Sequence, residues 1–120
     1  MTTTPALNAI ELAKLVIDTL SDHKALQITD IDVTPLTTVT DRMIICSAIS
    51  KRHAVALANH VLMQAKTCGT PPLGIEGQND GEWILIDLQD VIVHIMLPEI
   101  REFYSLEKLW RVTENPNSTV

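Results

Sequence analysis

Two runs of this chain are apolar at nearly every position: Met43-Ile44-Ile45-Cys46, and Val91 to Leu97 with His94 inside it. Both are shorter than an ordinary helix, and each predicts a strand buried on both faces. A sheet with two such strands needs cover above and below, and helices elsewhere in the chain have to supply it.

The spacing of the other apolar residues supplies those helices. Thr4-Pro5 reads as an N-cap followed by proline at the first helical position. From there Leu7, Ile10, Ala13, Leu15, Val16, Ile17 and Leu20 form one face of a helix ending near Ser21 or Asp22. Ser50 caps a second helix carrying Val55, Leu57, Ala58, Val61, Leu62 and Ala65, and Gly69 after Cys68 stops it. Pro98 opens a third, with Glu99 in its first turn and Ile100, Phe103, Leu106, Leu109 and Trp110 as its apolar side.

Between the helices, Ala25 to Val33 alternates with one break in phase, which predicts a strand bulged near Thr29 and ended by Thr34-Pro35. Leu73 to Glu76 reads as a short strand inside the zone that holds all the glycines. Trp83 to Leu88 and Val91 to Leu97 form a hairpin around a tight turn at Gln89-Asp90. The order α-β-β-α-β-β-β-α gives a single α/β domain, a mixed sheet of about five strands covered by helices. The domain is expected over 6–112, with tails at 1–5 and 113–120.

At 120 residues the chain has room for one core without disulfide staples. A net charge of −6 lacks the footprint of a free nucleic-acid binder; it suits a basic protein partner, although solubility alone is the better explanation of the global charge. Cys46 and Cys68 lie far apart and outside any CxxC pattern, as in a reduced, cytoplasmic chain. No signal peptide and no membrane span are expected, since no apolar stretch approaches the roughly 20 residues that crossing requires.

The most enzyme-like feature is Asp30-Ile31-Asp32, two carboxylates at i and i+2 that point the same way on a strand. Such a pair could hold a divalent metal for nucleotidyl transfer, and this is the alternative function for the chain. That chemistry also needs a phosphate cradle and a third acid, and no glycine precedes Gly69. His53 and His60 share a helix face about 10 Å apart, too far for one metal unless another element intervenes. His23 and His94 complete no zinc pattern. Gly74-Ile75-Glu76-Gly77 has the GxxG spacing but an acid inside it and no lysine, so a turn requiring positive φ is the stronger reading. No metal and no cofactor are expected.

Ser50-Lys51-Arg52-His53 puts cations in a first helical turn, against the macrodipole. Lys51 and Arg52 either contact RNA or another anion, or pair with nearby acids such as Asp41.

The strongest functional signal is a charge asymmetry. No Lys or Arg lies between Lys66 and Arg101, while Glu76, Asp80, Glu82, Asp87, Asp90 and Glu99 all do. Within this stretch Trp83, Leu85 and Asp87 alternate with Ile84 and Ile86. The two isoleucines make a core face; the opposite side is an aromatic anchor with an acidic rim if no helix covers it, and otherwise Trp83 packs under a helix. With a two-residue turn, Ile92, His94 and Met96 join that side.

These segments together resemble the ribosomal silencing factor (Iojap-like) family. The resemblance rests on Pro72 to Gly77, Trp83 to Asp87, Asp90 to Met96 and Phe103 to Trp110. Upstream, Thr40-Asp41 before Met43-Ile44-Ile45, and Ser50 to His53 opening a helix, match as well. It covers about Leu7 to Trp110 and departs at Gln89, where the family usually has glycine. The resemblance implies a nucleotidyltransferase-like fold without catalytic residues. It also implies binding to the large ribosomal subunit through ribosomal protein fourteen, uL14. Joining of the small subunit is then blocked sterically, and translation falls under nutrient limitation. No bond is made or broken, so the chain is not an enzyme. Glu76, Trp83, Leu85, Asp87, His94 and Met96 are the expected protein-binding residues, and a homodimer is left open.

Overall fold

The computed structural model describes residues 7–106 and Lys108. Their elements are α1 (Ala9–Asp22), β1 (Leu26–Asp32), β2 (Arg42–Ser47), α2 (Lys51–Thr67), β3 (Gly74–Glu76), β4 (Trp83–Asp87), β5 (Val91–Met96) and α3 (Pro98–Tyr104). The strands form one mixed sheet in the order β1-β2-β5-β4-β3. The two most apolar strands, β2 and β5, lie side by side in its centre and run parallel; every other pair is antiparallel. The expected class, a five-stranded mixed sheet with helices, is the one found.

Helices α1 and α2 pack together over one face. Leu12, Val16 and Leu20 of α1 and Leu57, Ala58, Val61 and Ala65 of α2 meet Ile44, Cys46, Ile84, Ile86, Val91, Val93 and Ile95 of the sheet. Burial pushes the Cys46 thiol up to about 12, so it is an apolar filler and not a nucleophile. On the opposite face a smaller cluster of Ile31, Val33, Met43 and Ile45 covers only the β1–β2 side, with Leu106 packed against it.

Several local readings hold. Ser50 caps α2 by accepting from the His53 amide at 3.1 Å. Gly69, at φ +78°, follows the helix, and the Thr70 amide returns to the Ala65 carbonyl. The phase break in β1 is a bulge between Leu26 and Thr29, with Gln27 at φ +49°. The β4–β5 turn has two residues, Gln89 and Asp90, and Gln89 takes φ +74°.

Two helix ends differ from expectation. The N-cap of α1 is Asn8, not Thr4. Asn8 and Glu11 form a reciprocal capping box, a stronger anchor than proline alone; Thr4 and Pro5 lie outside the described residues. Helix α3 ends at Tyr104 because Ser105 turns left-handed at φ +48°. Its buried residue is Arg101, while Phe103, read as part of the apolar side, is 79% exposed. Leu109 and Trp110 lie outside the described residues, as do both tails.

Candidate functional site

The strand registers bring the expected binding residues to one face. In the β4–β5 pair Trp83 opposes Met96, Leu85 opposes His94 and Asp87 opposes Ile92. Glu76 of β3 opposes Leu85. A period of 2 then puts Glu76, Trp83, Leu85, Asp87, Ile92, His94 and Met96 together, away from α1 and α2.

Their exposure divides them. Glu76 is exposed, and Trp83, Leu85 and Asp87 are half-buried. His94 and Met96 are only 5% and 1% exposed. These two therefore underlie the surface and do not form it, a correction to their expected role as contacts. For His94 the cover is the Trp83 indole, whose ring lies 5.9 Å away.

Helix α3 also shapes this face, which is neither fully open nor closed under a helix. The Tyr104 ring lies 4.8 Å from the Trp83 ring, and Phe103 meets Tyr104 edge-on at 4.9 Å. Tyr104 is 51% exposed, so the three aromatics form a partly open surface at the sheet edge. The Trp83 indole N–H donates to His94 Nδ1 at 3.0 Å. Burial holds His94 down at about 4, so the ring is neutral near pH 7 and free to accept. Asp87 accepts from the Gln89 amide at 2.8 Å, tying this rim acid to the hairpin turn.

Arg101 anchors α3 in place. Its guanidinium donates to the Gln27 carbonyl at 2.7 Å, Ser47 Oγ at 3.1 Å and Thr29 Oγ1 at 3.1 Å. The bulge in β1 turns the Gln27 carbonyl toward it. Sequence reasoning missed this residue, because an arginine between acids in a short helix reads as surface. The one available hint was that Arg101 ends the cation-free stretch.

The enzyme-like residues have structural duties. Asp30 holds Arg42 through two bonds, of 3.0 Å to Nε and 2.9 Å to Nη2. Asp32 accepts from the Thr34 hydroxyl at 2.6 Å and its amide at 3.0 Å, which holds its carboxyl below the usual range. Gly77 takes φ +85°, and a Cβ there would run into the Trp83 carbonyl, so the GxxG is a turn closed against β4. His53 bridges the helices instead of binding metal: its Nδ1 accepts from the Ile49 amide and its Nε2 meets the His23 carbonyl. The His60 ring stacks on His23 at 3.5 Å. Lys51 lies 3.8 Å from Glu82, both exposed, and does not pair with Asp41. Arg52 is exposed, with no ion pair among the described residues.

The family described as ribosomal silencing factor during starvation matches residues 6–120. The chain belongs to the ribosomal silencing factor family. A ribosomal silencing factor of Chromobacterium violaceum is 43% identical over 100 residues, which cover 83% of this chain and 82% of that one. A crystal structure of a protein from the same species superposes with a TM-score of 0.85 at 41% identity, covering 87% of each chain. A mouse relative, 35% identical over 80% of this chain and 43% of its own length, is named mitochondrial assembly of ribosomal large subunit protein 1. The silencing factor resemblance drawn from the sequence is thereby upheld. Among the described residues, no helix is long and apolar enough to cross a membrane.

Proposed function

We propose that the chain is a cytoplasmic, non-enzymatic regulator that docks on uL14 of the large ribosomal subunit. Docked there, it keeps the small subunit from joining and lowers translation when nutrients are short. The observation that carries this reading is the open face. It joins half-exposed Trp83 and Leu85 to exposed Tyr104 and Phe103, and Glu76 and Asp87 lie on the same side of the sheet. Aromatic anchors beside a charged rim are typical of interface centres. The rim's sign suits a basic ribosomal protein, and complementary charge speeds encounter and rejects wrong partners. The mouse relative's name, which refers to the large ribosomal subunit, supports the same target. Lys51 and Arg52 would add contacts to ribosomal RNA.

The test is capture of ribosomes from lysate with the subunits resolved, followed by a subunit-joining assay. The protein should retain large subunits and inhibit joining. Asp30→Ala with Asp32→Ala should still inhibit, provided the variant folds. Loss of inhibition in the folded variant, or metal-dependent nucleotide transfer by the wild type, would favour an enzyme instead. If Lys51 and Arg52 touch RNA, replacing both with Ala should flatten the salt dependence of binding.

A further inference from the structure

His94 is an anomaly in its strand. Val91, Ile92, Val93, Ile95 and Met96 are all apolar, and an apolar residue at 94 would meet the same burial without desolvating a polar ring. The imidazole accepts a hydrogen bond from Trp83. An indole N–H can only donate, so Nδ1 carries the lone pair and the proton sits on Nε2.

The geometry of that bond is diagonal. Trp83 directly opposes Met96, and Leu85 directly opposes His94. The indole therefore reaches along β5 by one same-face step, a distance that only long or aromatic side chains span. The rings of Trp83 and His94 lie 5.9 Å apart at 50°, and Tyr104 touches the same indole. Between a fixed acceptor on the central strand and a tyrosine on α3, the indole is held in one orientation although half-exposed.

We propose that His94 is a positioning residue: its buried imidazole fixes the Trp83 indole in the orientation that meets the partner, without touching the partner itself. This rests on the docking face proposed above and adds a specific device to it. A half-exposed tryptophan without its acceptor samples other rotamers, and ordering it on binding then costs affinity. Leucine at 94 would preserve burial and remove only the acceptor.

A double-mutant cycle tests this, with affinity measured for the large subunit and melts recorded for each variant. His94→Leu should weaken binding roughly tenfold, the scale of one lost hydrogen bond. Trp83→Phe keeps an aromatic ring but has no N–H, so adding His94→Leu to it should cost almost nothing more. The Trp83 indole proton, assigned as the NMR signal missing from Trp83→Phe, should exchange with water faster in His94→Leu. Equal losses from His94→Leu in both backgrounds would mean a general packing role and overturn the proposal. So would wild-type binding by His94→Leu, or an unchanged exchange rate. Trp83→Ala separates the two levels of the argument. If it binds like the wild type, the docking face itself is wrong. If it loses binding and His94→Leu does not, only the positioning role falls.

Discussion

Strand β4 shows two faces one residue apart. Ile84 and Ile86 are fully buried under the α1–α2 layer, while Trp83, Leu85 and Asp87 remain half-exposed on the other side. The backbone is the same and only the parity differs. The isoleucine face is apolar and closed, so substitutions there should register as stability. The tryptophan face holds an aromatic, an acid and a buried imidazole, so substitutions there should register as binding and pH response.

The largest effect should come from the closed face. Ile86→Ala removes a fully buried side chain and should lower stability by about 2–5 kcal/mol, with affinity unchanged once folded. Chemical denaturation alongside subunit binding checks this. A folded Ile86→Ala that binds poorly would break the division between faces.

Next comes the acid response of the open face. Burial depresses His94 to about 4 in the folded chain, against about 6.5 when unfolded. Between those values the unfolded state binds the extra proton, so stability present above about pH 6.5 is lost as pH falls toward 4. The contribution is of order 3 kcal/mol. His94→Leu should therefore show a flatter stability profile between pH 6.5 and 4 than the wild type. Parallel profiles would mean that the buried ring is protonated without cost.

Glu76→Lys should act on binding alone. Glu76 is exposed, so the melt should shift by less than about 0.5 kcal/mol, while affinity for a basic partner falls by about 1 kcal/mol. High salt should reproduce part of that loss in the wild type. Smallest of all, Gln89→Gly should raise stability by a few tenths of a kcal/mol. Its φ of +74° favours glycine, offset in part by glycine's greater freedom when unfolded.

Much of this was legible in the sequence because it depends on local period and punctuation. Alternation in Trp83 to Asp87 separated the two faces, and the turn was located near Gln89-Asp90, whose two-residue register the structure supplied. The bulge near Thr29 showed as a break in phase. What was not legible depends on distant partners. Arg101 is buried because it meets groups on β1 and β2 more than fifty residues away in sequence. Helix α3 ends early at a left-handed Ser105, and serine does not announce that conformation. His94 and Met96 were placed on the correct face, but their burial depends on what packs over that face, which strand alternation does not carry.

The most direct measurement is the affinity of Trp83→Ala for large ribosomal subunits, taken with its thermal melt on the same preparation. The account predicts binding weakened at least about thirtyfold, the scale of a truncated interface anchor. The stability loss should stay well below the roughly 3–5 kcal/mol of a core tryptophan, since this one is half-exposed. A variant that melts far lower yet binds like the wild type when folded would contradict it. Trp83 would then be part of the core, and the docking surface would lie elsewhere.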